Sequence, residues 1–399
     1  MPATAPAVAA VIFDVDATLL DVAPFFRCAA RQVLTERGVH VDARSYSALN
    51  GCSAAELAAQ LAADPAAAAA LPEEAALAAD ADALAEPLLG TAKPLLGAMA
   101  AVRALLAAGT KVGLVTRRRR DYAAKAAHHG GWLGGVGAVV AADDEVGEGG
   151  SARAEAARQL GVEPASCLAV EGGATGVVAA LAAGMRAVAV VPSSWGAPVA
   201  PVAGAETTAS SLSELRFAEL GCAAPGAAPA PTEPRAGWGA TLPLPGGPVF
   251  VSGEVVHGFG RGSTQLGFPT ANLAKAALAP LAGLMPGVYC GFARVHGAPS
   301  SGNEADRQVQ KMVMSLGWNP QFDDIDEKVA EPYIIHTFAD TFYGQQLSLL
   351  IVAYVRPETS FASMEDLVSA IQGDVGASEA VLAANMSEHA ADERLAAAL

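Results

Sequence analysis

Basic residues are scarce in this chain. Its 399 residues include 25 Lys and Arg against 41 Asp and Glu, a net charge of −16. Nucleic-acid binders usually present a basic face. The only dense basic run here is Arg117–Arg120, which reads as a solvated helix start or an anion-steering patch, so no nucleic-acid partner is expected. Long apolar runs are missing too. No clean stretch reaches the roughly 18 residues of a membrane span. The Ala-rich segment from Ala54 to Leu89 is interrupted by Asp64, Pro65, Pro72, Glu73, Glu74, Asp80, Asp82 and Glu86. No membrane partner is expected, despite a mean hydropathy of +0.33. The five cysteines (Cys28, Cys52, Cys167, Cys222, Cys290) lie far apart, show no CxxC or zinc spacing and are odd in number. That pattern points to a reducing compartment. No Arg precedes Arg27, and the first strand-like run starts at Val8, which argues against a signal or transit peptide. The expected location is cytoplasmic.

What is present is an apolar chain, 52% hydrophobic and 17% charged, long enough for two or three domains of roughly 100–200 residues. Its composition changes near residue 215. Before that point, short apolar runs end in polar residues: Val8–Phe13 before Asp14, Val112–Val115 before Thr116, Val136–Ala142 before Asp143, Cys167–Val170 before Glu171, and Arg186–Val191. Helix-like segments separate them at Ala98–Ala108, Asp121–His129, Ser151–Leu160 and Thr175–Ala183. Such alternation predicts an α/β fold with a parallel sheet. Ligands of such sheets bind beyond the carboxyl ends of the strands, where Asp14, Asp16, Thr116 and Glu171 fall. A mostly helical insert, about 21–90, sits after the first strand, where a cap would sit. The expected divisions are 1–216, a Pro/Ala-rich linker at 217–246, a second domain at 247–380 with turn signals and short alternating runs typical of all-β structure, and a helical tail at 381–399.

The run VIFDVDATLLD places two carboxylates two residues apart, just past a buried strand. On a strand end that spacing points both toward one site. Such a pair can serve as nucleophile and proton handler, or hold Mg²⁺ against a phosphate. Together with the helical insert, KVGLVT, and LAVEGGATGVVAALAAGM, this run resembles the haloacid dehalogenase (HAD) superfamily over roughly residues 8–215. The resemblance implies a Rossmannoid parallel sheet with a helical cap. It makes Asp14 the phosphorylated residue, Asp16 the proton handler, Thr116 a phosphate ligand, and Asp14, Asp16 and Glu171 metal ligands. Three departures stand out: Ala17 replaces the usual Gly, VGEGGSARAEAARQLGV lacks the third-motif Lys, and Gly172 follows Glu171 where a second acid is usual. Arg117 or Lys125 are substitutes for the charge, and Asp143 or Asp144 for the metal ligand. A weak or inactive phosphatase is the expectation; the alternatives are an enzyme that also hydrolyses FMN to riboflavin through Asp14, and a non-catalytic binding or regulatory module.

The second half opens with VFVSGEVVHGFGRGSTQLGFPTANL. Glycines in HGFGRGS permit close backbone approach, and successive N–H groups in such a loop cradle phosphates. The Thr270 hydroxyl and Asn272 amide are hard oxygen ligands suited to Mg²⁺. With PGVYCG, SLGWNP, EPYIIHTF, DTFYG, YVRPE and SAIQGD, this series resembles riboflavin kinase from about Val249 to Ala377. The resemblance implies a six-stranded antiparallel barrel with a terminal helix, and conversion of ATP and riboflavin to ADP and FMN with Mg²⁺ or another divalent ion. It casts Glu331 as general base and Thr270 and Asn272 as metal and phosphate ligands. Gly258, Gly260, Arg261 and Gly262 form the nucleotide loop, His336 and Tyr343 line the nucleotide side, and Arg356 lies on the flavin side. Thr264 stands where many relatives carry a basic residue. The order of the two halves resembles that of plant-type bifunctional FMN hydrolase/riboflavin kinases.

Overall fold

The structure is a computed structural model that describes residues 7–16, 18–39, 73–120, 122, 135–146, 150–191, 200–223, 241–244, 246–257, 267–297, 303–318, 328–359, 361, 363–384 and 392–396. The chain forms two compact units, Met1–Ala23 with Ala92–Arg235, and Pro24–Thr91 with Ala236–Leu399.

In the first unit, apolar runs become parallel strands: β1 (Ala10–Asp14), β2 (Lys111–Val115), β3 (Ala138–Val140), β4 (Cys167–Glu171), β5 (Arg186–Val190) and β6 (Thr208–Ala209). Their order is β3-β2-β1-β4-β5-β6, which puts β1 at the centre. Ile12, Ala169 and Ala187 are buried completely, as expected for strands covered on both faces. The helix at Ala98–Ala107 lies between β1 and β2 in sequence. A second helix, Ala152–Leu160, is bounded by two local signals. Ser151 Oγ accepts from Ala154 N at 3.2 Å, and Gly161 ends the helix at φ 64°. A third helix, Ala174–Ala182, follows β4 directly. The stretch read as the start of the linker is packed: Phe217 is buried against Phe13, with ring centroids 6.3 Å apart. The helix expected at Asp121–His129 lies outside the described residues, apart from buried Tyr122.

The second unit contains β7 (Leu242–Pro243), β8 (Val249–Val256), β9 (Asn272–Leu273), β10 (Gly287–His296), β11 (Gln310–Gly317), β12 (Val329–Ile334) and β13 (Gln346–Pro357). Six of them run in the order β12-β11-β10-β13-β8-β9, with β7 added beside β13. The two ends of this path meet where Ala271 N donates to Pro332 O at 2.9 Å, which makes the sheet a near-barrel. Gly291 permits close strand approach: a Cβ there would lie 2.0 Å from Leu350 O, beside the irregularity between Cys290 and Gly291. A helix at Met364–Ala384 follows, and Leu382 and Leu395 join the buried cluster of Cys290, Phe292 and Leu350.

Helix α1 (Ala23–Glu36), from the segment read as a cap, packs almost wholly within this second unit. Its Phe25 ring lies 6.3 Å from that of Tyr354. Arg31 sits over Trp318, with its guanidinium carbon 4.5 Å from the ring centroid. Gln32 donates to Ala282 O at 2.8 Å and accepts from Lys328 Nζ at 3.1 Å. Burial lowers the Lys328 ammonium to about 8. No helix among the described residues is long and apolar enough to cross a membrane.

Candidate active sites

The near-barrel closes where the sequence placed its chemistry. Along 270–273, Ala271 and Leu273 face the core while Thr270 and Asn272 are only half-buried. On β12, Ala330 and Ile334 are buried, whereas Glu331 and Tyr333 alternate to the other face. The Ala271–Pro332 hydrogen bond binds these two segments together. Phe268 and Tyr333 meet edge to face at 5.4 Å, which joins the Thr270/Asn272 side to the Glu331 side. Glu331 pairs in register with Ser315 of β11. Burial raises its carboxyl above the ordinary Glu value.

Gly258, Gly260, Arg261 and Gly262 lie outside the described residues. The residue before them, His257, stacks on half-exposed Tyr343 with ring centroids 3.8 Å apart. Their chain segments are joined as Gly344 N donates to Val255 O at 2.8 Å. His336 lies 2.8 Å, through Nε2, from buried Asp306 Oδ1 and meets Phe338 edge to face. Asp306 is not among the residues singled out from sequence, because it lies in a hydrophilic stretch, SSGNEADRQ. Arg356 is drawn inward: its Nε donates to Asp374 Oδ1 and Oδ2 at 2.9 and 3.0 Å, and Nη1 donates to Pro357 O.

In the first unit, the structure brings Asp14, Asp16, Thr116 and Glu171 together beyond the strand ends. Asp16 N donates to Asp14 Oδ1 at 3.3 Å. Thr116 Oγ1 donates to Asp16 Oδ2 at 2.6 Å and accepts from Arg118 N at 3.0 Å. Burial, and then the neighbouring Asp16 and Glu171, push the Asp14 carboxyl well above its ordinary value; Arg153 and Arg117 oppose them. Arg153 is the residue that sequence reasoning missed. It comes from the first turn of the helix at Ala152–Leu160, in the stretch lacking the family's Lys. Its Nε and Nη2 donate to Glu171 Oε1 and Oε2 at 2.6 and 2.5 Å. Of the substitutes named from sequence, Arg117 lies near enough to act on Asp14, whereas the other three are engaged elsewhere or lie outside the described residues. Asp143 accepts from Arg120 N at 2.7 Å, Asp144 pairs with the Arg120 guanidinium, and Lys125 is outside the described residues.

A parallel sheet that carries an aspartate pair at its strand ends, followed in the chain by an antiparallel near-barrel, is a two-fold arrangement that two family models match separately. The family model for riboflavin kinase matches residues 245–382, and that for haloacid dehalogenase-like hydrolases matches residues 8–184. The chain is 36% identical over 292 residues to the bifunctional riboflavin kinase/FMN phosphatase of Arabidopsis thaliana, covering 70% of this chain and 69% of that protein. It is 47% identical over 143 residues to the riboflavin kinase of Mus musculus, covering 36% of this chain and 84% of that one. The human riboflavin kinase is 48% identical over 129 residues, 32% of this chain and 77% of the relative. The chain belongs to the riboflavin kinase family, in the form that carries a HAD-like hydrolase unit ahead of the kinase.

Proposed function

We propose that the second unit transfers the γ-phosphoryl group of ATP to the 5′-hydroxyl of riboflavin, giving FMN and ADP, with Glu331 as general base. The observation that carries this reading is the Ala271–Pro332 junction, which sets Thr270 and Asn272 beside Glu331. As the ribityl oxygen attacks phosphorus, Glu331 takes its proton and the bond to the β–γ bridging oxygen breaks, so ADP leaves. A carboxylate suits this role because the alcohol becomes acidic only as it attacks. The rest is positioning and charge neutralisation.

Thr270 and Asn272 offer hydroxyl and amide oxygens beside a carboxylate, a hard donor set that fits Mg²⁺ bound with ATP. Mg²⁺ there would supply charge neutralisation on the phosphates. Gly258, Gly260, Arg261 and Gly262 form the nucleotide loop in this reading, with Tyr343 on its stack and His336 held by Asp306. Arg356 shapes the flavin side through its pairing with Asp374 rather than by direct contact. ATP-dependent conversion of riboflavin to FMN, followed by chromatography, tests the reading; no FMN from a folded preparation would reject it.

For the first unit the reading is a phosphoester-binding site with slow hydrolysis of FMN to riboflavin through Asp14. Its support is a carboxylate set that ends at Glu171 and meets Gly172. Loss of one electrostatic partner typically costs about 10²–10³ in rate. Incubation with FMN and Mg²⁺, without ADP or ATP, should therefore release riboflavin slowly, about 10²-fold or more below a hydrolase with the full set of acids. Release at a kinase-like rate that Asp14→Asn abolishes would reject slow hydrolysis.

A further inference from the structure

The HAD fold implies a divalent ion beside Asp14, and the residues present do not fit one. Mg²⁺ asks for near-octahedral oxygen ligands at about 2.0–2.1 Å, usually including one or two carboxylates free to bind it. Glu171 is not free. Its side chain is fully buried, and both of its oxygens accept from Arg153. On another side the backbone presses in: a Cβ at Gly176 would lie 2.3 Å from Glu171 Oε2. Asp16 spends Oδ2 on Thr116 and has the buried Tyr122 hydroxyl beside it. Among the described residues no group of three His, Cys, Asp or Glu is placed to hold a metal.

The cation that is present is a guanidinium. Nε and Nη2 of Arg153 are used on Glu171, whereas Nη1 makes no hydrogen bond among the described residues. The Arg153 side chain keeps 15% of its surface open to solvent, although its partner has none. An arginine fixed by a carboxylate along one edge keeps further N–H donors, which suit a phosphate oxyanion.

We propose that Arg153 takes the place of the divalent ion, so that this unit binds phosphate or a phosphomonoester through Arg153 without Mg²⁺. The inference rests on reading the first unit as a phosphoester-binding site and adds how that site balances charge.

The test uses the full chain and inorganic phosphate, titrated calorimetrically in excess EDTA and again in Mg²⁺. The parent should bind phosphate with the same affinity, within about twofold, in both. Arg153→Ala should weaken binding in EDTA by about tenfold or more, the scale of a lost charge-assisted hydrogen bond of 1.5–3 kcal/mol. Because Arg153 lies only in the first unit, the difference between parent and variant isolates this site from phosphate bound elsewhere. Arg153→Lys keeps a cation against buried Glu171, and should weaken binding in the same direction if Arg153→Ala does not fold. Nucleotide-free parent should show no tight Mn²⁺ site by electron paramagnetic resonance, a measurement that needs no variant. Mg²⁺ tightening parent phosphate binding more than twofold, no phosphate binding in EDTA, parent-like affinity in the folded Arg153 variants, or a parent Mn²⁺ site abolished by Asp14→Asn would each overturn the proposal. Fast FMN hydrolysis that persists in EDTA would instead overturn slow turnover and leave the arginine assignment standing.

Discussion

Glu331→Gln should lower the rate of FMN formation by about 10²–10⁴-fold, the usual contribution of a positioned general base. Riboflavin and ATP binding should change little, because Gln keeps the shape and polarity of the side chain and removes only its ability to take a proton. The pH dependence gives a second reading of the same residue. A base works in its ionised form, and burial raises the Glu331 carboxyl. The parent rate should therefore fall as pH drops through that raised value, at a higher pH than an ordinary exposed Glu would give. Glu331→Gln should lose this acidic limb along with the rate. Single-turnover kinetics from pH 4 to 8 on both proteins checks the two results together. Near-parental turnover in Glu331→Gln, or an acidic limb that survives the substitution, would remove Glu331 as the base.

Arg356→Ala should be the most destabilising simple substitution in the second unit. Arg356 and Asp374 are 5% and 2% exposed, so neither charge has water to fall back on. Removing one partner of such a pair costs about 3–5 kcal/mol, mostly because the other is left buried and uncompensated. At an m-value of about 2 kcal/mol/M, the urea midpoint of this unit should fall by about 2 M. Amide exchange along β10 and β13, the pair at the centre of the sheet, follows that unit specifically. Replacing both residues at once with apolar side chains of similar volume should cost far less, since no orphan charge remains. If Arg356 instead touched the flavin directly, Arg356→Lys would raise the riboflavin KM with the urea midpoint unchanged. The geometry favours the loss of stability.

Much of the α/β unit was legible because its strands are short apolar runs that stop at polar residues. Asp14, Thr116 and Glu171 end three runs that become neighbouring strands, and parallel pairing carries all three to one edge of the sheet. Thr270, Asn272 and Glu331 were legible for a different reason, as parts of extended motifs with fixed order. Three features were hidden. Arg153 sits in ARAEAARQL, where an arginine reads as a solvated helix residue, and its reach to Glu171 follows from how that helix returns to the sheet. Asp306 lies in SSGNEADRQ, a hydrophilic stretch that gives no hint of a buried acid. The Arg356–Asp374 pair joins a strand to a helix across 18 residues, and no local periodicity connects them. The destination of α1 was also unreadable. Its apolar residues Phe25, Ala29 and Val33 show that one face must be covered, but not by which half of the chain.

That destination bears on how this protein came to be, and on how it comes apart. Pro24–Thr91 belongs with the later unit, although it interrupts the earlier one in the sequence. Scission in the Pro/Ala-rich stretch before Thr241 would yield two polypeptides that do not correspond to the two folded bodies. The upstream piece would keep α1, whose Gln32 and Arg31 hold Ala282 and Trp318 of the downstream piece. A nicked chain should therefore elute as one species and part only in denaturant. The same arrangement sets a barrier to gene fission. A kinase gene cut free at the linker would start life with the Trp318 face uncovered, and would need surface changes there before it could stand alone.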